Sequence, residues 1–197
     1  MRKFSLAALF LAISVGLCAP MGLAQTSTES LPVWTADSNL SGQLGGIETI
    51  DGFAVRPPKN FKYQQQPGLD GVPIHGWVGE PRADGTRPQF MMLVFPVSYD
   101  VHRADLDPGL IALLGSYESH HKDWKRGPIE HGLINGVYFV RTRWEGFDVS
   151  MGRKLYGFSY LAVIDKKIVQ LSSQDVEQYQ AAALSLAEAA TQTFRKK

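Results

Sequence analysis

From residue 47 onward, hydrophobic and polar positions follow two alternating rhythms. Short stretches repeat every second residue, and longer ones repeat at three and four, as strands and amphipathic helices do. Residues 47–50 and 53–56 are β-prone runs on either side of Asp51-Gly52. That pairing predicts a tight hairpin, because both turn positions need positive φ. Pro57-Pro58 closes the second arm, since proline cannot continue a ladder. Strands are expected next at 61–65, 74–78 and 90–97, with a polar loop over 80–88. Met91-Met-Leu-Val-Phe95 is continuously apolar, the mark of a central strand covered on both faces.

A helix is expected after that. Asp107 suits its N-cap, Pro108 its first position, and Leu106 with Ile111 a hydrophobic staple. Leu110, Leu114, Tyr117, His121 and Trp124 form one apolar stripe, and Gly127-Pro128 stops it. A second hairpin joins residues 129–134 to 137–144 through Asn135-Gly136. In its second arm Tyr138, Val140, Thr142 and Trp144 share one face, and Val137, Phe139, Arg141 and Arg143 share the other. A long strand over 155–164 turns at Asp165-Lys-Lys167 into 168–171. A closing helix spans about 175–194, capped by Ser173 or Asp175. Val176, Tyr179, Ala183, Leu186, Ala187, Ala190 and Phe194 line one of its faces, and the alanines allow it to lie flat on a sheet. This order predicts an α+β domain, a mostly antiparallel meander sheet with helices packed on it. Tight hairpins between successive strands argue against a parallel, doubly wound sheet.

The stretch before residue 47 reads differently. Arg2 and Lys3 precede an apolar run over residues 4–17, and Gly22-Leu23-Ala24 offers small residues where a signal peptidase would cut. Residues 1–24 are expected to be a secretory signal peptide, too short and wrongly flanked for an anchor. Residues 25–46, rich in Ser, Thr, Gly and Asn, are expected to be a flexible tail, with Leu31-Pro-Val-Trp34 its one apolar stretch. Residues 47–197 then form a single domain, exported to the periplasm or beyond. Cleavage leaves 173 residues, enough for a core without staples. The leader takes two of twenty cationic residues with it, leaving eighteen Lys and Arg against nineteen Asp and Glu, a net charge of −1. That near-neutrality argues against a nucleic-acid partner. The single cysteine, Cys18, lies in the leader, so the mature chain has no disulfide and no thiolate chemistry. Lipidation of Cys18 wants a small residue before it, and Leu17 stands there. No later stretch is long and apolar enough to span a membrane.

Three stretches resemble a known family. Gly52-Phe-Ala-Val-Arg-Pro-Pro58 before Phe61 is similar to its opening. Residues 136–146, with Tyr156-Gly-Phe-Ser-Tyr160 and Lys167-Ile-Val-Gln-Leu171, are similar to its central meander. Thr193-Phe194-Arg195 is similar to its close. Together they resemble the PsbP-like superfamily, which includes Ran-binding nuclear-import factors and many secreted bacterial proteins. The resemblance implies an α/β/α sandwich around an antiparallel sheet. It also implies non-enzymatic binding, often to a larger complex. No functional residue carries over, because no matching motif for one is present.

The chemistry in the chain is sparse. Of His75, His102, His120, His121 and His131, no two stand at a metal-ligand spacing on a helix, and adjacent His120 and His121 would point about 100° apart there. No metal site and no cofactor is expected. His121 reads as a boundary histidine with one hydrogen bond. No Gly-x-Ser-x-Gly elbow, close carboxylate pair or phosphate loop is present, so no catalytic residue is assigned. The most suggestive cluster is Arg141, Arg143 and Trp144, with His75 and Trp77 on another strand. Alternating arginines beside aromatics suit a carboxylate, a sugar or an acidic patch on a partner. The competing reading is a sheet face covered by a helix, with arginine stems packed and heads solvated. Trp124 and Trp144 taken alone read as core. The expectation is therefore an exported, non-enzymatic binding or accessory domain contacting an envelope protein or small ligand. The alternatives are a periplasmic hydrolase or metal enzyme whose histidines converge on folding, and a purely structural envelope component.

Overall fold

The computed structural model describes residues 30–68 and 71–197; the expected signal peptide, with Cys18, lies outside the described residues. Two short strands, β1 (Glu48–Ile50) and β2 (Phe53–Val55), form the first hairpin. Asp51 and Gly52 turn it with φ of 51° and 91°. β3 (Lys62–Pro67), β4 (Pro73–Val78) and β5 (Gln89–Pro96) follow as an antiparallel meander. Helix α1 (Leu106–Glu118) comes next. Five strands then succeed one another: β6 (His121–Arg126), β7 (Glu130–Ile134), β8 (Val137–Asp148), β9 (Arg153–Ile164) and β10 (Lys167–Val176). Helix α2 (Gln180–Thr191) and the two-residue β11 (Arg195–Lys196) end the chain.

The main sheet has eight strands in the order β3-β4-β5-β10-β9-β8-β6, with β7 also on β8. β6 and β7 share one edge of β8 in succession. All pairs in this sheet are antiparallel. A small sheet, β1-β2-β11, sits apart. Pleating divides the core in two. On one face Trp77, Phe90, Met92, Phe139, Phe158 and Leu171 pack with Leu184, Ala187 and Ala190 of α2 and with Phe53 and Phe194. On the other, Val140, Trp144, Leu155 and Leu161 pack with Leu106, Leu110 and Leu114 of α1. The architecture is the expected one, an antiparallel sheet between helical layers.

Both helices are shorter than their stripes predict. α1 ends at Glu118, and His121 and Trp124 belong to the edge strand β6. A bulge between Lys122 and Lys125, with Asp123 at φ 53°, brings Trp124 back to the face of His121. A bulged strand thereby imitates the spacing of a helix. Asp107 does not cap α1; its carboxylate lies 3.1 Å from His131 Nε2. Ile111 is 47% exposed, so the Leu106–Ile111 staple does not form. At the other end Asp175 and Val176 complete β10, and Val176 packs in the core opposite α2.

The stretch expected as a tail is fastened from residue 32 onward. Trp34 N–H donates to Leu133 O (2.8 Å) and Leu133 N–H to Pro32 O (2.9 Å). The Trp34 ring meets Tyr160 edge-on and covers Gly132, where a methyl would overlap the indole. Residues 38–43 form a 3-10 turn, and Leu44 is buried.

The 80–88 loop is tied to the corner between β10 and α2. Asp84 accepts from Thr86, Arg153 and Gln178. The Thr86 hydroxyl, helped by the Thr86 amide and the Arg153 guanidinium, lowers the Asp84 carboxyl from 3.8 to about 2. A carboxyl depressed by folding stabilises the fold above its unfolded value and loses that contribution as pH falls toward its folded value. Asp84→Asn should therefore flatten the difference in urea midpoint between pH 4 and pH 2 relative to the unaltered protein.

Candidate functional site

Antiparallel registers place four of the expected residues in strand rows whose side chains share a face. Arg141 heads one row, through Tyr160, Leu171 and Met92 to His75. Arg143 heads the next, through Phe158, Ser173 and Phe90 to Trp77. The four lie on the α2 face, but four strand spacings, roughly 19 Å, separate each arginine from its partner on β4. Trp144 faces α1 instead. The five residues therefore do not gather into one constellation.

Those on the α2 face are engaged within the molecule. Arg141 donates to Glu130 (2.8 Å), Tyr160 Oη (2.7 Å) and Glu188 (3.3 Å), and its guanidinium sits 4.2 Å from the Trp34 ring centroid. Arg143 pairs with the same Glu188 on α2. Burial, then the Glu188 charge, pushes the Tyr160 phenol well above its ordinary value, so it is a neutral donor here. Trp77 is fully buried, and its Nε1–H donates to Glu48 (2.7 Å). His75 Nδ1 lies 2.8 Å from Tyr63 Oη. This is a helix-covered sheet face, with the arginine heads held in ion pairs.

The α1 face is built differently. At the C-terminal end of α1, three rings meet around Trp144. Its ring centroid is 5.4 Å from Tyr117, 5.6 Å from His121 and 5.0 Å from Trp124, which stacks on it. Two glycines make this packing possible. A side chain at Gly157 would collide with the Trp144 indole, and a Cβ at Gly146 would come within 2.8 Å of His121 Cβ. Beside the rings opens a cleft of about 290 Å³, lined by Ser116, Tyr117, His120, His121 and Gln174.

The sheet beneath is polar where a core would be apolar. Thr142, Ser159 and Ser172 form one buried row, next to the row of Trp144, Gly157 and Gln174. Burial pushes the Tyr117 hydroxyl, which lies against Ser172, above its ordinary value. His121 Nδ1 lies 2.6 Å from Tyr117 O, and its side chain is 5% exposed. His121 Nε2, Trp144 Nε1, Ser159 Oγ and Gln174 Oε1 are buried without a hydrogen-bond partner. Each such group costs about 1–3 kcal/mol, so four on one face mark a place shaped by something other than folding.

The histidines stay apart. His75 is on β4, His121 on β6 and His131 on β7, where His131 bridges Asp107 and Tyr138. Among the described residues, no three His, Cys, Asp or Glu side chains converge on a point that could hold a metal ion. No helix among them is long and apolar enough to cross a membrane. Sequence reasoning missed Gln174 and Tyr117 as cleft residues. The available signal was Gly157, an isolated glycine inside a long strand, which marks a close approach.

No family model and no curated protein sequence matches this chain. Solved structures do. Cyanobacterial PsbP (CyanoP) from Synechocystis is 14% identical, with 93% of this chain and 99% of that one covered and a TM-score of 0.57. LpqN, involved in cell envelope biogenesis of Mycobacterium tuberculosis, is 10% identical, covers 76% and 83%, and gives 0.52. A Pseudomonas aeruginosa protein of unknown function, described as a putative regulator, is 13% identical, covers 79% and 99%, and gives 0.52. At such identities the likeness speaks for architecture alone. With its helix-sheet-helix layers and closing helix, this chain has the PsbP-like fold.

Proposed function

We propose that this chain is an exported, non-enzymatic accessory domain that binds a partner or small ligand in the cleft beside α1. One observation carries the reading: buried polar atoms without partners are concentrated around the Tyr117, His121, Trp124 and Trp144 rings. Recognition sites combine an apolar wall with a few convergent polar groups. The α2 face offers less, because Arg141 and Arg143 are already paired. Export rests on the leader-like pattern of residues 1–24 and agrees with a fold shared with a protein of cell envelope biogenesis.

The test uses the Trp144 indole N–H as its reporter. The ¹⁵N-labelled protein is titrated separately with n-butylammonium, butyrate, glucose and trialanine. At least one should move the Trp144 indole resonance saturably while leaving amides of β4 in place. A Trp144 resonance indifferent to all four contradicts the assignment of the cleft.

A further inference from the structure

We infer that a second cleft, at the N-terminal end of α1, binds an aliphatic monocarboxylate in the form of a free fatty acid, in addition to what the cleft at the other end of that helix takes. Two hairpin ends build it. Val137 opens β8 just after the Asn135-Gly136 turn, and Val163 and Ile164 close β9 just before the Asp165-Lys166 turn. These three, with Val101 and Leu106, wall a cleft of about 410 Å³. Leu106 is buried, but the other four are only half-buried. Isolated apolar groups on a surface need no explanation, whereas a contiguous set lining one concavity is what a ligand's tail requires. Leu106 here and Tyr117 at the other cleft stand eleven residues apart on α1, roughly 16 Å along its axis, so the two clefts are separate.

A cation lines this cleft too. Arg103, in the 3-10 turn before α1, sets its guanidinium over the Tyr138 ring, 4.6 Å from the centroid. That contact holds the side chain at the cleft and leaves its N–H fork open. Among the described residues no carboxylate, carbonyl or hydroxyl pairs with the fork, unlike those of Arg141 and Arg143. The acids nearby in sequence are committed elsewhere. Asp100 pairs with Lys166 (3.5 Å), Asp105 accepts the His102 amide (2.7 Å), and Asp107 lies 3.1 Å from His131 Nε2. The Asp107 charge reaches the Tyr138 phenol and, after burial, helps push it above its ordinary value. The His131 ring nevertheless stands between the two, with its Nδ1 3.0 Å from Tyr138 Oη. A guanidinium fork takes a carboxylate through two parallel hydrogen bonds, and the aliphatic walls take its tail. An ammonium would be repelled by Arg103. A peptide C-terminus would press a backbone amide against valine and isoleucine side chains that offer it no partner.

The ¹⁵N-labelled protein is titrated with octanoate, octanol, octylammonium, acetate and Nα-acetyl-leucine, all below micelle-forming concentrations. The readouts are the Val137 and Val163 amides and the Trp144 indole resonance. Octanoate should move both amides saturably and leave the indole in place. Octanol lacks the charge, octylammonium has the opposite one, acetate lacks the tail and Nα-acetyl-leucine carries an amide, so each should bind at least about tenfold more weakly. Arg103→Gln should lose about tenfold in octanoate affinity and leave octanol binding unchanged. Near-ultraviolet circular dichroism reports whether the variant keeps its fold, and the five probes on the unaltered protein decide the matter where it does not. The inference is overturned if octanol or octylammonium binds as tightly as octanoate, if a folded Arg103→Gln protein keeps its octanoate affinity, or if neither amide moves. Tighter binding of Nα-acetyl-leucine overturns the free acid in favour of a partner's C-terminus. An octanoate shift confined to Trp144 puts the acid in the other cleft, overturning this site and leaving that one intact.

Discussion

Asp175→Asn is expected to destabilise the protein by about 3–5 kcal/mol, the usual cost of stranding one member of a buried ion pair. For a domain of this size that lowers Tm by on the order of 10 °C. Both carboxylate oxygens of Asp175 take a guanidinium N–H of Arg82 at 2.6 Å, and Oδ1 also accepts the Val176 amide. The Asp175 side chain is 2% exposed and that of Arg82 19%. An amide cannot accept the bidentate pair, and the Arg82 charge remains over the Tyr179 ring without its counter-ion. This pair tethers the 80–88 loop to the end of β10, so the loss is structural. The paired replacement Arg82→Met with Asp175→Leu should recover much of the deficit, because the desolvation cost leaves with the charges. Urea denaturation of the three proteins measures both effects. A deficit in the double variant equal to that of Asp175→Asn would show that the ion pair is not the source.

Arg141→Ala should cost about 2–4 kcal/mol, and Arg143→Ala less than about 1 kcal/mol. The difference follows from burial and partners. The Arg141 side chain is 20% exposed and joins β7, β9, α2 and the Trp34 segment through Glu130, Tyr160, Glu188 and the indole. Its removal leaves the buried Tyr160 hydroxyl with Glu188 alone and frees Trp34 of its cation. The Arg143 side chain is 60% exposed and shares Glu188 with Arg141. Screening and side-chain entropy leave such an exposed pair worth little. Equal, small losses in thermal unfolding of the two variants would return both arginines to the surface role that their alternation on a strand suggests.

Much of the fold was legible because turns are local. Asp51-Gly52 and Asn135-Gly136 adopt the positive φ values that their residue types favour, and Asp165-Lys166 turns with positive φ as well, although lysine has no such preference. The face assignment along β8 followed from strand pleating, and it places Val140 and Trp144 toward α1 and Phe139 toward α2. Helix ends were less legible. His121 and Trp124 continue the α1 stripe in spacing although they sit on a bulged strand, and Asp175 looks like a cap although Arg82 takes its carboxylate. Both errors share a cause, since a nearby periodicity was completed by a distant partner. The cleft was hidden for the same reason. It needs Gly157 beneath the Trp144 indole and Gln174 one strand further on, seventeen residues later, and only the registers of β8, β9 and β10 bring them together. The alternating Arg141 and Arg143 were conspicuous, yet what they meet depends on Glu188 in a helix more than forty residues away.

The central claim is that recognition belongs to the α1 side and that the α2-side arginines serve the fold. The most direct measurement is a side-by-side titration of n-butylammonium, butyrate, glucose and trialanine into the unaltered protein, Arg143→Ala and Gln174→Leu, followed at the Trp144 indole resonance. The account predicts that whichever probe moves the resonance binds Arg143→Ala as it binds the unaltered protein, and that Gln174→Leu, altered on the cleft lining, binds it more weakly. Affinity lost in Arg143→Ala and kept in Gln174→Leu would contradict it.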